Sequence, residues 1–460
     1  MFKRMQKTLI VSIQQDLFEF LENLFGDKNK IPFKEVNLNK DHIIYFFYLM
    51  ETLESYSFTD NNNDIHLHSR KLIKEFSPKY KSYIEFMIYY KFIIKVKNYR
   101  VGKNTNIYRF SNSYPQTKTY KKFNITNITL IKKTNSNNSG TTEDKRKKNK
   151  KASRVRSHLT KGFNDNLKID YNSCLDLLSD MDTPKYRPNF ITLFNFHNKY
   201  WNFSIKKETD NRLHTLLTRL NKKFLKHISY KNESLAEVDI KTSQPIFLYA
   251  VLNVIFNDKN ESDFKNKVTE KLGKQVIKDI LNAGIEHDEL IKFGEIIMNH
   301  DLYNYLSDNL VIEKTNNKYS RFEFDKKSKS KRLKTYDNKR DLTKKIVMET
   351  LYSSPKNYAS EVTQIKKLFP SIFKIVDFIK SSMNDKNGFP VFLQQIEAEV
   401  LLDEIGGMIV KQKSDIILFS KHDSLISTES NIDFLKKIME EQLKFYLLIE
   451  KVKVEISHWN

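Results

Sequence analysis

Apolar residues recur every three to four positions from Leu9 to Leu24 and from His42 to Glu54, which predicts helices over both stretches. The polar run Asp60-Asn-Asn-Asn-Asp64 breaks the pattern, and a further helix is expected from Ser77-Pro78 through Tyr90. Ile93 to Val96 and Ile107 to Phe110 read as two strands about a turn at Gly102-Lys-Asn. From about Ser113 to Lys161 the periodicity is lost. Helical patterning resumes at Tyr171 to Ser179, is broken at Pro184 and Pro188, and gives way to a basic amphipathic stretch from Asp210 to Ile228. Three patterned segments then follow. Leu235-Ala-Glu-Val-Asp239-Ile240 is an apolar strand that ends on a carboxylate, with Pro245 placed to start a helix at its first turn. Arg340 to Tyr352 has a four-residue spacing that stops at Ser353-Ser354-Pro355, and Asp415 to Thr428 reads as strand, tight turn, strand with Asp423 at the turn.

Composition narrows the choice of partner. Lys and Arg number 79 against 56 Asp and Glu, a net charge of +23, and a field of that sign attracts polyanions. Nucleic acid is the first expectation; an anionic membrane surface is the rival, but no apolar run of spanning length, signal peptide or lipidation motif is seen. The single cysteine, Cys174, excludes an intrachain disulfide and a cysteine-based zinc site, and points to an intracellular, cytoplasmic protein, with an organellar matrix also open. Nine Lys/Arg between Lys145 and Lys161, with no acid among them, read as a solvated tether or a basic arm for nucleic acid. Helix, turn, helix and two-stranded wing is the order of a winged-helix domain, with Lys79, Lys81, Arg100 and Lys103 toward a phosphate backbone; a structural or protein-contact role fits the same module.

The chemistry lies in the later segments. On a helix, Arg340, Lys344, Met348 and Tyr352 form one row. Such a row can read a nucleotide from end to end, with Arg and Lys on the phosphates, Met at the sugar and Tyr at the base. The spacing equally fits an amphipathic helix with a solvated basic edge. Asp239 and Asp423 suit phosphoryl transfer through two Mg2+ ions, for which Mn2+ can stand in, provided a fold pairs their strands. The backbone carbonyl of Ile240 would add an oxygen ligand. Taken singly, each acid also fits a turn or cap.

Asp239-x3-Ser243, Arg340-x3-Lys344-x3-Met348-x3-Tyr352 and His422-Asp423-Ser424 resemble motifs A, B and C of bacteriophage and mitochondrial single-subunit RNA polymerases, whose palm is shared with family A DNA polymerases. The central segment is the nearest match. The resemblance implies a right-hand palm with fingers, Asp239 and Asp423 on catalytic Mg2+, Arg340 and Lys344 on the triphosphate, and Tyr352 beside the templating base. It also implies template or primer contacts for Arg212 and His214, in a motif that lacks the family's glycine, for Gln394 and Gln395 on a helix before motif C, and for His422. Counted without gaps, Gln244, five residues past Asp239, stands where DNA polymerases keep a Glu that excludes the 2′-hydroxyl; Ser243-Gln244 equally matches a Ser-Gln that family A enzymes carry two residues nearer the Asp, and Met348 leans to ribonucleotides, so sugar choice stays open. Ser353 replaces the usual glycine after Tyr352.

The expected fold class is α+β, a right-hand polymerase palm of antiparallel sheet and helices with helical fingers and a thumb-like segment, plus a small winged-helix-like N-terminal domain. The expected boundaries are 1–113 for that domain, 114–165 for a flexible basic linker, 166–232 for a helical thumb-like, template-contacting segment, 233–300 for the first part of the palm, 301–388 for fingers and 389–460 for the second part of the palm. The segment Lys326 to Arg340, with eight Lys/Arg against one Asp, is expected to form an electropositive entry or a mobile loop. The expected function is template-directed nucleotidyl transfer, as in a replication polymerase or primase of a mobile element. Its partners would be nucleoside triphosphates and a template with its primer or product duplex. The alternatives are a non-catalytic nucleic-acid-binding replication or defence protein, and an untemplated or protein-primed nucleotidyltransferase.

Overall fold

The computed structural model describes residues 9–26, 38–56, 64–69, 72–73, 76–99, 105–115, 118–138, 151–181, 183–257, 262–315, 318–325, 330–383 and 388–459. It is a mixed α+β chain whose described sheets are all antiparallel.

The N-terminal part opens with β1 (Leu9–Gln14) and α1 (Gln15–Gly26), so the first half of the helix expected from Leu9 is a strand. The run Leu-Ile-Val-Ser-Ile explains the difference, because β-branched side chains favour a pleated surface and here they are buried. Next come α2 (Lys40–Tyr56), β2 (Ile65–Leu67), α3 (Tyr80–Tyr89), β3 (Ile93–Lys97) and β4 (Asn106–Phe110); the expected two-stranded wing is instead a three-stranded sheet, with β2, from between the helices, beside β4 and β3. Arg100 and Lys103 lie outside the described residues.

Within the stretch expected to be a linker, β5 (Tyr120–Ile125) pairs with β1 and α4 (Ile128–Asn138) follows it. Arg156, read as part of a basic arm, is 1% exposed, with its guanidinium on Asp403 (2.7 Å from Nε and from Nη2) and on the Asn211 carbonyl (2.6 Å). A cation so placed fixes two distant segments to each other rather than lying on a polyanion. Residues 139–150 are outside the described residues.

Segment 166–232 mixes β6 (Leu167–Ile169), α5 (Tyr171–Ser179), α6 (Thr183–His197), β7 (Ser204–Ile205), β8 (Leu213–His214), two 3-10 turns and β9 (Ile228–Tyr230). Helix α6 continues through Pro188, expected to be a breaker. The basic stretch from Asp210 to Ile228 is strand and 3-10 turn. Helix α2 packs on α6, and Tyr48 donates to Asn195 at 2.6 Å. Buried Glu51 joins them, accepting from Gln14 (2.8 Å) and Tyr114 (2.7 Å), with Arg187 at 3.7 Å.

The central strand β10 (Glu233–Ile240) runs between β15 (Ser424–Thr428) and β16 (Val454–His458), with β14 (Phe419–Lys421) outside β15. Helices cover one face of this sheet. After β10 come α7 (Ser243–Phe256), α8 (Asp263–Leu272), α9 (Lys274–Ala283), α10 (His287–Asn299) and α11 (Leu302–Asn309). A three-stranded ribbon, β11 (Lys314–Thr315), β12 (Lys318–Asp325) and β13 (Ser330–Tyr336), leads into α12 (Lys339–Tyr352). Helices α13 (Ser360–Leu368), α14 (Pro370–Ser382) and α15 (Gly388–Ala398) then reach a π-helical segment (Glu399–Ile405), α16 (Gly406–Gln412), the β14–β15 hairpin, α17 (Ile432–Leu447) and β16. Residues 326–329, part of the predicted electropositive segment, lie outside the described residues, while 330–336 form strand.

Two hydrophobic cores result. One is built mainly from Leu9 to Tyr230 together with Leu235, Phe419, Ile426 and Trp459; the other holds Ala152, Leu159 and Leu213 with Ala236, Val238, Ile240 and α7 to α17. They meet along β10. No helix among the described residues is long and apolar enough to cross a membrane.

Candidate active site

Strand β10 alternates. Val238 and Ile240 are buried under the helices, while Glu237 and Asp239 point to the other face. Asp239 lies opposite Ser424 on β15 and Glu455 on β16. Asp423 is the residue before Ser424, in a two-residue turn closed by the Lys421–Ser424 pair. Ladder geometry therefore keeps the Cα atoms of Asp239 and Asp423 within about 9 Å. Burial, and then the charges of Asp423 and Glu237, push the Asp239 carboxyl up to about 7, against the pull of Lys241 and Lys344. Glu237 is itself held by Lys421 at 3.4 Å and by the Trp459 indole N–H at 3.2 Å.

Helix α12 is the predicted helix with its predicted row. Asn338 caps it, accepting from the Asp341 amide at 2.8 Å, and Leu342, Thr343, Ile346, Val347, Thr350 and Leu351 form the buried face. That leaves Lys344 exposed and Arg340, Met348 and Tyr352 half-buried. Arg340 donates to Asp301 Oδ2 from Nε (3.0 Å) and Nη2 (2.7 Å) and stands over the Tyr303 ring at 5.4 Å; the Lys344 ammonium is 5.9 Å from the same ring. Burial drives the Tyr303 hydroxyl to about 12, with Asp301 and Asp423 adding to the effect, so this ring joins α12 to the carboxylates. The Arg340–Asp301 pair is over a third exposed, and such pairs contribute about 0–1 kcal/mol. An incoming phosphate can therefore displace Asp301.

A second cluster sits beside the first. Glu397, on the buried face of α15 and 0% exposed, accepts from Arg212 Nε at 3.1 Å and from its Nη2, from Ser243 Oγ at 2.6 Å, and from Gln244 Nε2. Burial pushes its carboxyl above the usual carboxylate range, and the Asp423 charge works the same way, while Arg212 and Ser243 oppose them. Gln244 is 6% exposed, and its Oε1 has no hydrogen-bond partner among the described residues. Tyr352 lies against this group. Burial raises its hydroxyl, Glu397 adds to that, and Gln394 hydrogen-bonds to it. Gln395 instead donates to the carbonyls of Lys207 and Thr209, both at 2.9 Å, and so holds the turn ahead of Arg212. His214 is bonded to Asp210 at 3.1 Å. Burial and the Arg212 charge lower His422.

Three residues with left-handed backbone immediately precede this machinery: Asn211 (φ +51°) before Arg212, Thr242 (φ +51°) before Ser243, and His422 (φ +57°) before Asp423. Each costs on the order of 1–3 kcal/mol unless its surroundings compensate, and such strain gathers at functional sites.

The structure thus brings together Asp239, Asp423, Lys344, Arg212, Gln244, Gln394 and Tyr352 from the sequence-predicted set, and gives Gln395, His214 and Arg340 partners within the protein. Sequence reasoning met Glu397 only as a neighbour of Gln394 and Gln395, with no role of its own, and did not single out Asp301 or Tyr303. Glu397 was detectable as one acid on the apolar stripe of Phe389, Phe392, Leu393 and Ile396; Asp301 and Tyr303 carry no such mark.

Magnesium suits the carboxylate pair on its chemistry. No group of three or more His, Cys, Asp or Glu among the described residues could hold a metal ion. Mg2+ takes one or two carboxylates and completes its octahedron with water and substrate phosphate, and a buried acid pushed up by neighbouring charge gains from a cation.

No protein-family model and no curated protein matches the chain. Among solved structures it is similar to the POL domain of Pol1 from M. smegmatis, in complex with DNA primer-template and dNTP, at 11% identity and a TM-score of 0.30 over 68% of this chain and 64% of that one. The chain thus matches less than two thirds of that domain's length, and similarity of this degree carries no weight for the site.

Proposed function

We propose that the protein is a template-directed nucleotidyltransferase in which a 3′-hydroxyl gives up its proton and attacks the α-phosphate of a nucleoside triphosphate, forming a phosphodiester as the α–β bond breaks and pyrophosphate leaves. The observation that carries this reading is the β10–β15 ladder, which sets half-buried Asp239 opposite Ser424 and so beside Asp423 at the hairpin turn, with Lys344 of α12 acting on the same carboxyl. In this reading Asp239 and Asp423, with the Ile240 carbonyl, would hold two Mg2+ ions, or Mn2+ in their place, which would supply a lowered pKa for the attacking hydroxyl and neutralisation of charge on the leaving oxygens. Lys344 and Arg340 bind the triphosphate, and Met348 and Tyr352 flank the sugar and base. Arg212, aligned by Glu397, meets the primer end. A sugar hydroxyl of the nucleotide is the donor that Gln244 Oε1 lacks. The palm, fingers and thumb-like boundaries and an N-terminal nucleic-acid-binding role belong to the same proposal.

The test is primer extension with separate NTP and dNTP pools on DNA and RNA templates, with and without primer. Asp239→Ala and Asp423→Ala should each abolish incorporation while nucleic-acid binding persists. Activity surviving in either variant removes the mechanism, and extension that ignores template sequence replaces it with untemplated transfer.

A further inference from the structure

Arg212 leaves the chain directly after a left-handed residue, Asn211, and the orientation of that residue's peptide sets where the Arg212 side chain starts. Both polar groups of Asn211 are held. Its carbonyl accepts from Arg156 Nη1 at 2.6 Å, and its side-chain amide donates to Glu399 Oε1 at 3.1 Å, which Lys271 holds in turn at 2.8 Å. The backbone ahead of it is held as well: the Asn211 amide donates to the Lys206 carbonyl at 3.0 Å, and Gln395 donates to the carbonyls of Lys207 and Thr209.

Gln395, Glu399 and Asp403 follow one another at four-residue intervals along α15 and the π-helical segment, and π-helical turns gather at functional sites. The first two bond the 206–211 turn directly. Asp403 instead takes Arg156 through two parallel bonds, from Nε and Nη2 at 2.7 Å each, and Arg156 carries the contact on to Asn211. This use needs a guanidinium, whose planar fork engages both carboxylate oxygens and still offers a third nitrogen to the carbonyl; an ammonium keeps the charge without the fork. Arg156 is 1% exposed. For stability alone a well-packed apolar side chain serves as well as a buried ion pair, but it cannot hold a carbonyl in place.

We propose that Arg156 is a positioning residue for the candidate site: by tying the Asn211 carbonyl to Asp403 it fixes the left-handed turn that aims Arg212 at the primer end. Glu397 orients the Arg212 guanidinium and Arg156 orients the backbone from which it starts. The inference rests on the proposed function for what Arg212 meets, and it adds to that site a residue from the segment expected to be a linker.

The test is a double-mutant cycle of Arg156→Lys with Arg212→Gln, which keeps a donor for Glu397. The full-length protein, without nucleotide, is titrated by fluorescence anisotropy against DNA and RNA hairpins with a recessed 3′ end. Arg156→Lys should weaken binding of the better-bound hairpin about tenfold, and by no more than about twofold once Arg212 is already Gln. In primer extension it should raise the KM for that hairpin about tenfold and leave the KM for nucleotide within about twofold. Asp403→Asn, at a partly exposed side chain, loosens the same bracket from its other end and should reproduce both effects, so it decides the matter where Arg156→Lys fails to fold. Unchanged hairpin binding, a loss of equal size with and without Arg212, or equal losses for hairpin and nucleotide make Arg156 a general brace and overturn the proposal. Arg212→Gln that binds as the parent does overturns it together with the primer-end role of Arg212. A parent that binds through Arg212 but extends nothing refutes the proposed function alone, and the binding cycle still decides this inference.

Discussion

At the residue scale the site is a problem of charge. Asp239 is half-buried beside two acids and takes up a proton near neutrality, whereas in the unfolded chain it would lose that proton near 4. Its carboxylate therefore costs the folded state stability as pH rises from about 4 to about 7, and a bound cation removes that cost. Mg2+ must displace the proton at lower pH. Affinity for Mg2+, read by thermal shift or calorimetry, should fall by about tenfold per unit below pH 7 and level off above it; in Asp239→Asn that pH dependence should vanish. Glu397 makes a separate prediction. Its carboxylate orients Arg212 and holds the first turn of α7, so Glu397→Gln should raise the KM for primer-template by roughly tenfold while Tm changes little. Glu397→Ala should also lower Tm, because it leaves the half-buried Arg212 guanidinium, with Ser243 and Gln244, without their partner. Equal effects of both substitutions on Tm would make Glu397 purely structural.

At the scale of elements, legibility followed periodicity. Helix α12 was readable because Arg340, Lys344, Met348 and Tyr352 fall every four residues on one side and the apolar positions fall on the other. Strand β10 and the β14–β15 hairpin were readable from a carboxylate closing an apolar run. Strand β5 was not, because Tyr-Lys-Lys-Phe-Asn-Ile contains few apolar residues and depends on pairing with β1, a segment far away in sequence. No break separates β1 from α1 in the sequence, so the helical period runs across both. The partners of Arg156 and Gln395 were hidden for the same reason, since each bonds to a segment distant in the chain. The α12 row has its own test. Lys344→Ala should raise the KM for nucleotide about tenfold or more with a smaller change in kcat, and an unchanged KM separates α12 from the triphosphate.

At the scale of the whole molecule, the expected picture of an N-terminal module on a tether gives way, in the described residues, to one packed against the rest. Helix α2 lies on α6, and the Glu51 cluster draws β1, α2, Tyr114 and Arg187 into one network. Sequence could not reveal this, because the stretch between carries polar and basic residues whose buried members, such as Arg156, are satisfied only by tertiary contacts. Strand β10 supplies Leu235 to one core and Ala236, Val238 and Ile240 to the other, and places Asp239 at its far end. Neither half can melt and leave that strand in register. Heat inactivation and calorimetric unfolding should therefore trace one curve, with no temperature at which a folded but inert intermediate accumulates; a resolved second endotherm would contradict it.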